Sequence, residues 1–151
     1  MSEEQAQTSH GPILITEGEY AGWSNWPHDA FETRAGPFYF RTDENGQSVS
    51  AFRAEQKHMN GGGFMHGGCM MTFADYALFA IAWQELKETY AVTVSFNSEF
   101  VSAGKVGDLV EATGEVVRAG GSLIFIRGEL TTGGRVLMPF SGVIKKVQKR
   151  P

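Results

Sequence analysis

One acidic side chain lies where the sequence otherwise places only apolar residues. Asp75 falls inside the run MMTFADYALFAIAWQEL at positions 70–86, whose apolar residues cover nearly the whole circumference of a helix. A carboxylate in an enclosed helix must find a partner or shift its pKa, because leaving it unpaired is costly. Asp75 is therefore a candidate general base or nucleophile. The alternative is a structural carboxylate that bonds a neighbouring backbone or hydroxyl group.

A glycine-rich segment, NGGGFMHGG at positions 60–68, comes immediately before this run. Small residues leave backbone N–H groups accessible at the positive end of a helix, where they can bind an oxyanion or polarise a carbonyl. The spacing matches neither a phosphate-binding loop with its lysine nor the dinucleotide fingerprint. A tight turn that permits close packing is the alternative interpretation.

Two histidines and the single cysteine lie near the same segment. His58, His66 and Cys69 match no common zinc spacing, so we expect no metal. His66 is either a ring donor to a substrate or a structural donor at the start of the helix. Cys69 is a weak candidate nucleophile because the sequence places no base beside it.

Distance limits how these groups can cooperate. Gly67 and Asp75 are eight residues apart, which corresponds to about 12 Å along one helix. A single reacting carbonyl cannot touch both. If the glycine-rich helix end and the carboxylate serve one site, they must come from two chains, so the chemistry requires a homo-oligomer.

The elements around the helix predict an α+β domain whose curved antiparallel sheet wraps it. Residues 1–11 are expected to be disordered, 12–35 to form an extension with a helix over 27–34, and 36–151 to form the main domain. A second helix of 17 residues is expected at 70–86. Strands are expected at 36–41 and 48–55, where they form a hairpin. A long strand is expected after Thr89, with Val92, Val94, Phe96 and Phe100 on one face. Three more strands are expected at 109–118, 123–131 and 136–147.

Composition limits the class of protein. A chain of 151 residues with 42% apolar residues is sized for one core. A net charge of −4 argues against binding dominated by nucleic-acid phosphates, and one cysteine suits a reducing compartment. No apolar run reaches the roughly 20 residues that a bilayer needs. With no secretory pattern at the start, we expect a cytoplasmic protein that binds neither nucleic acid nor membrane.

These motifs resemble the hotdog-fold acyl-CoA thioesterases of the phenylacetyl-CoA type. Those proteins have an asparagine, a loop ending in His-Gly-Gly and an acid nine residues after the histidine, here Asn60, His66, Gly67, Gly68 and Asp75. The likeness continues through residues 93–130 and covers roughly residues 36–147. It implies a hotdog fold, thioester hydrolysis, and a homodimer or a dimer of dimers.

The resemblance also implies roles for individual residues. The Gly67 backbone N–H would polarise the thioester carbonyl, and Asp75 of the facing subunit would act as general base or nucleophile. Asn60 and His66 would orient the water or thioester, and Thr93 would support the acid. Substrate contacts would come from Gly68 and from the turn that contacts the CoA nucleotide, namely Arg118, Gly120, Gly121 and Ser122. CoA would enter as part of the substrate, and no cofactor is expected.

Two other functions are compatible with this fold. A hydratase or dehydratase would use a histidine and an acid placed differently from this pair. A non-catalytic acyl-CoA binding module would not need Asp75. The sequence leaves the acyl group open, and also whether Trp23 and Trp26 cap an acyl pocket or cover a sheet edge.

Overall fold

The computed structural model describes residues 11–86 and 89–148. Except for Gly11, which is exposed, the segment expected to be disordered lies outside the described residues. The helices are α1 (Ala30–Ala35), α2 (Gly67–Ile81) and α3 (Trp83–Leu86), with a 3-10 turn at Gln56–His58. The strands are β1 (Ile13–Leu14), β2 (Ser24–Asn25), β3 (Tyr39–Thr42), β4 (Ser48–Arg53), β5 (Tyr90–Ser98), β6 (Leu109–Ala119), β7 (Leu123–Thr132) and β8 (Arg135–Val147).

The strands form one antiparallel sheet in the order β1-β2-β3-β4-β6-β7-β8-β5. The predicted hairpin is confirmed as β3 and β4, joined by a turn in which Asp43 Oδ1 accepts the N–H groups of Asn45 and Gln47 at 2.9 Å. Gly46 completes this turn at a positive φ of 78°. The strands predicted at 109–118, 123–131 and 136–147 are confirmed within one residue at each end.

Helix α2 packs against the sheet and supplies much of the core. Phe73, Ala74, Ala77 and Leu78 are fully buried in it. The α+β arrangement predicted from the enclosed helix is therefore confirmed. No helix in the described ranges is long and apolar enough to cross a membrane.

The bounds of the central helix differ from the prediction. α2 begins at Gly67, three residues before the predicted start, because His66 caps its first turn. The helix ends at Ile81 and Ala82 separates it from α3, so the predicted 17-residue helix is two helices. Beyond the break, the Trp83 ring lies 5.8 Å from that of Trp26, an aromatic contact from a distant part of the chain.

The N-terminal extension adds strands to the sheet. β1 pairs with β2, and β2 pairs with β3, so this segment covers the β3 edge. Trp26 stacks on Phe40 at 4.5 Å and meets Tyr76 of α2 edge-on at 5.3 Å. The helix predicted to begin at Pro27 begins at Ala30 instead, because the side chain of Asp29 accepts the Glu32 N–H and caps it.

A β-bulge in β5 overturns the predicted facing of that strand. The register of β5 on β8 shifts between Thr93 and Ser95. Val92 and Val94 are exposed, whereas Phe96, beyond the shift, is half-buried and packs against the core, so these side chains do not share the single face that regular alternation predicts. Phe100 lies beyond the end of the strand.

Two glycines allow the central strands and helix to approach closely. Gly114 of β6 lies opposite Gly128 of β7. A Cβ on Gly128 would overlap the Thr113 carbonyl oxygen and lie 2.7 Å from Phe140 Cζ. Any side chain at position 128 therefore requires the neighbouring backbone at Thr113 to shift.

We expect Gly128→Ala to lower the free energy of unfolding by about 1–3 kcal/mol, the usual range for overpacking. The matched control is Gly121→Ala, because a Cβ there would meet nothing within 4 Å. Urea denaturation of both variants measures the difference. Equal midpoints for Gly128→Ala and the control would contradict the proposed steric requirement.

Candidate active site

The first turn of α2 is capped by the side chain and carbonyl of one residue. His66 Nδ1 accepts the Gly68 N–H at 2.8 Å. The His66 carbonyl accepts the N–H groups of Cys69 and Met70 at 3.0 and 3.2 Å. Because Nδ1 is an acceptor, the neutral ring carries its proton on Nε2. His66 therefore acts as a cap and keeps one ring N–H available to donate.

Capping leaves one N–H of this turn available. Within the described part of the chain, no acceptor receives a hydrogen bond from Gly67, whereas the N–H groups of Gly68, Cys69 and Met70 are occupied. A Cβ at Gly67 would lie 3.0 Å from the Phe100 ring, so the absent side chain lets this ring approach. An unoccupied N–H at the positive end of a helix is suited to bind a carbonyl oxygen that gains negative charge.

Asn60 organises the glycine-rich loop. Its Oδ1 accepts the N–H groups of Gly62 at 2.9 Å and Phe64 at 3.1 Å, and its own N–H donates to the Phe64 carbonyl at 2.7 Å. Met65 N–H then donates to Gly104, and His66 N–H to His58, which fixes the path of the chain into α2. The Asn60 oxygen is occupied by the loop itself, so any contact with substrate is left to its side-chain NH₂ group.

Asp75 and Thr93 meet between α2 and β5. Thr93 Oγ1 donates a hydrogen bond of 2.6 Å to Asp75 Oδ1. Both residues are half-buried, and the register shift in β5 accompanies the inward placement of Thr93. The structure thus brings together a carboxylate from the middle of an apolar helix and a hydroxyl from the neighbouring strand.

Opposing effects act on the pKa of Asp75. Burial raises it, because water no longer solvates the charge, while the Thr93 hydrogen bond lowers it by favouring the carboxylate. The negative charge of Asp29 raises it further. The net shift is upward, which makes the ionised form a better proton acceptor than an exposed aspartate.

The other reactive side chains near α2 have structural surroundings. Burial raises the pKa of the Cys69 thiol to about 11, so it is a poor nucleophile at neutral pH. His58 is buried, with Nδ1 accepting the Glu55 N–H and Nε2 bonded to the Ala35 carbonyl. Among the residues the structure describes, no group of three or more His, Cys, Asp or Glu could hold a metal ion.

The predicted nucleotide-contacting turn lies at the surface, between β6 and β7. A groove of about 560 Å³ is lined there by Arg118, Gly120, Gly121 and Ser122 together with Val117, Leu123 and Phe125. Arg118 is exposed. The groove thus combines one cation and small residues with an apolar wall.

The predicted site residues fall into three groups on the single chain. Asn60, His66, Gly67 and Gly68 build the start of α2, Asp75 and Thr93 form a bonded pair further along the helix, and the remaining residues lie in the β6–β7 turn. No hydrogen bond within the described ranges links one group to another. One chain therefore presents separate parts of the candidate site.

Two acids near Asp75 were missed by sequence reasoning. Asp29 caps α1 and Glu32 lies on it; α1 packs on α2, and both acids interact electrostatically with Asp75. Their spacing, Asp-x-x-Glu, is typical of a helix start and carries no other signal in the sequence.

Comparison with known proteins identifies the family of this chain. The family model of the thioesterase superfamily matches residues 62–138. A predicted esterase of Pseudomonas aeruginosa is 37% identical over 109 residues, covering 72% of this chain and 81% of that protein. Human acyl-coenzyme A thioesterase 13 is 28% identical over 102 residues, covering 67% of this chain and 72% of that enzyme.

A solved structure confirms the predicted hotdog fold. The Escherichia coli PaaI protein, from the phenylacetic acid degradation operon, superposes with a TM-score of 0.68 at 22% identity, covering 80% of this chain and 86% of that one. The matched family region includes the glycine-rich helix start and Asp75. The chain belongs to the thioesterase superfamily.

Proposed function

We propose that this thioester hydrolase cleaves acyl-CoA thioesters to a free acid and CoA. Two observations together carry the proposal: the Gly67 N–H at a helix start has no acceptor among the described residues, and Thr93 holds the Asp75 carboxylate by a hydrogen bond. The N–H stabilises the oxyanion that forms on the thioester carbonyl. Asp75 acts as general base for water or as nucleophile.

The neighbouring residues position these two groups. Asn60 holds the glycine-rich loop, and His66 holds the first turn of α2 by occupying the Gly68 N–H. With Gly68 so occupied, we assign the carbonyl contact to Gly67. The remaining His66 Nε2–H and the Asn60 NH₂ group are the donors that orient the water or the thioester.

CoA as the thiol component is supported by the relative named acyl-coenzyme A thioesterase 13. The groove at the β6–β7 turn suits this component, because the exposed Arg118 guanidinium can pair with phosphate oxygens. Gly120, Gly121 and Ser122 allow a nucleotide to approach the backbone closely.

The site requires a second copy of the chain, as a homodimer or a dimer of dimers. Gly67 and Asp75 lie on the same helix, so about 12 Å separates their backbones. In the described part of the chain, β5 pairs with β8 alone, and Val92 and Val94 are exposed on it. A nine-residue strand at the edge of the described sheet, with exposed apolar side chains, is suited to pair with a second copy.

Asp75→Asn is expected to lower kcat by about 10²–10⁴-fold, because the amide cannot accept a proton. The measurement is thiol release across a panel of short, long and aromatic acyl-CoAs. Asp43→Asn is the matched control, since an amide oxygen can accept the same two turn hydrogen bonds. Undiminished turnover by Asp75→Asn would remove Asp75 from the mechanism.

The same panel separates the competing functions. A binding module would show saturable acyl-CoA binding without turnover by the unmutated chain. A hydratase or dehydratase would change the absorbance of an enoyl-CoA without releasing thiol. Either result would contradict the proposed hydrolysis.

Thr93→Val should lower kcat/KM at neutral pH about tenfold or more, as expected when a hydrogen bond to a charged group is lost. Its loss raises the pKa of Asp75, so the acid limb of the pH–rate profile should move to higher pH. Thr93→Ser keeps the hydroxyl and should retain the original profile. If the pH–rate profile of Thr93→Val coincides with that of the unmutated chain, the hydrogen bond does not contribute to catalysis.

Mixing two inactive variants tests the shared site. Proline is tolerated at the first position of a helix and removes the N–H, and the extended ψ of 133° at His66 is compatible with a following proline. Gly67→Pro should therefore fold but lose activity, whereas Gly67→Ala keeps the N–H and tests the contact with Phe100.

Subunit exchange between Gly67→Pro and Asp75→Asn should restore activity, because a mixed dimer has one intact site. Exchange is followed by mass spectrometry of the mixed oligomer. Complete exchange without recovered activity would contradict a site built from two chains.

A further inference from the structure

The Phe100 ring lies against the start of α2, although the residue is largely exposed. A Cβ built on Gly67 would lie 3.0 Å from Phe100 Cζ and 3.1 Å from Phe100 Cε1, so the tip of the ring contacts the glycine. The exposed fraction of Phe100 is 56%. The ring therefore contacts Gly67 with its tip and presents most of its remaining surface outward.

The backbone on both sides of Phe100 is bonded to the sheet. Glu99 N–H donates to the Pro139 carbonyl at 3.4 Å, and Val101 N–H donates to the Leu137 carbonyl at 2.9 Å. These hydrogen bonds continue the pairing with β8 beyond the last residue of β5. The position of the ring over Gly67 is thus set by the sheet.

The ring lies on the side of Gly67 to which the N–H points. The Cα–Cβ bond of a helical residue is tilted toward the start of the helix, which is also the direction of the first N–H groups. A Cβ lies about 2.5 Å from its own nitrogen, so Phe100 Cζ lies within about 5.5 Å of the Gly67 nitrogen. A carbonyl oxygen that accepts this N–H lies about 2.9 Å from the same nitrogen. The ring is therefore within contact distance of the groups bonded to that carbonyl.

The surface that continues from this contact along α2 is apolar. Met71 and Asp75 follow Gly67 at intervals of four residues, which places all three on one face of the helix. Met71 is 39% exposed, so an apolar side chain lies between the N–H donor and the carboxylate. An acyl chain gains free energy by covering such a surface, whereas the amides and phosphates of CoA need hydrogen-bond partners. Phe100 and Met71 therefore suit the acyl group.

The groove proposed for the CoA nucleotide lies far from the ring within one chain. The β6–β7 turn is beside one end of β8, where Leu123 pairs with Lys145. Phe100 is beside the part of β8 between Leu137 and Pro139. At about 3.3 Å per residue, these two parts of β8 are about 20 Å apart. The acyl group and the nucleotide thus have separate surfaces.

We propose that Phe100 determines which acyl groups the site accepts: its ring contacts the first carbons of the acyl chain and excludes a branch at the carbon next to the carbonyl. This inference rests on the proposed thioester hydrolysis and names its substrate class, acyl groups that are unbranched at this carbon. A straight chain passes along the flat ring, whereas a methyl branch at this carbon overlaps it. The hydrogen bonds of the flanking backbone to β8 oppose a shift of the ring away from Gly67.

Selectivity between two isomeric substrates tests this role. Butyryl-CoA has a straight acyl chain, and its isomer isobutyryl-CoA has a methyl branch next to the carbonyl. Phe100→Ala should raise the isobutyryl-to-butyryl ratio of kcat/KM about tenfold or more, as expected for one methyl group in an apolar pocket. Phe100→Leu keeps an apolar side chain and should raise the ratio by a smaller factor. The lower intrinsic reactivity of the branched thioester cancels, because each ratio is compared with that of the unmutated chain.

Val106→Ala is the matched control for removal of an exposed apolar side chain. Val106 is 54% exposed and lies in the turn that precedes β6. Its isobutyryl-to-butyryl ratio should equal that of the unmutated chain. A Phe100→Ala ratio no higher than the Val106→Ala ratio would overturn the proposal.

Changing the thiol separates an acyl contact from a contact with CoA. Thioesters of N-acetylcysteamine carry the same acyl groups but lack the nucleotide and most of the CoA arm. Phe100→Ala should change the isobutyryl-to-butyryl ratio by the same factor with either thiol. It should leave the ratio of butyryl-CoA to butyryl-N-acetylcysteamine unchanged. A change in this second ratio alone would place the ring against the thiol arm and overturn the proposal.

The failure of this inference is distinguishable from the failure of the proposed function. If the unmutated chain hydrolyses acyl-CoA and Asp75→Asn does not, an unchanged isobutyryl-to-butyryl ratio in Phe100→Ala removes only the role of Phe100. If the unmutated chain hydrolyses no acyl-CoA in the panel, the proposed function fails and the role of Phe100 fails with it.

Discussion

The hydrogen bond from Thr93 to Asp75 is the interaction on which the rest of the site depends. A carboxylate on a helix packed against the sheet needs a donor to remain charged, and the β5 hydroxyl supplies one at 2.6 Å. The donor must point inward, and the register shift after Thr93 accompanies this direction while Val92 and Val94 stay exposed. The fold, the bulge and the ionisation of Asp75 are thus linked.

The start of α2 supplies hydrogen-bond donors, whereas Asp75 supplies an acceptor. A helix start has several N–H groups without acceptors within the helix, and His66 occupies three of them through its ring and carbonyl. The remaining N–H, on Gly67, has no acceptor among the described residues. Because one rigid helix carries both this donor and Asp75, their separation cannot close within one chain, and the proposed chemistry requires a second chain.

Several parts of this arrangement could be predicted from the sequence. Asp75 is conspicuous because it interrupts an apolar run, and the turns around Gly107, Gly121 and Gly133 delimit β6, β7 and β8. Other parts depend on contacts distant in sequence. The break at Ala82 carries no glycine or proline signal, and Trp83 beyond it contacts Trp26, 57 positions earlier.

Local patterns were also ambiguous in ways that only packing resolves. Regular alternation along β5 predicted one face for Val92, Val94 and Phe96, whereas the bulge separates the exposed valines from the half-buried Phe96. A bulge does not alter composition, so the sequence carries no sign of it. Asp29 and Glu32 fit a capping box equally well whether or not the glutamate closes it. The extension containing them therefore had no visible relation to Asp75 until α1 was placed on α2.

The most direct test of the shared site is a crystal structure with an acyl-CoA ketone analogue, in which a methylene group replaces the thioester sulfur. The account predicts that the analogue's carbonyl oxygen accepts a hydrogen bond from Gly67 N–H of one protomer, while Asp75 of the partner subunit lies beside the carbonyl carbon or its attacking water. A carbonyl bound by one protomer alone, or remote from either group, would contradict it.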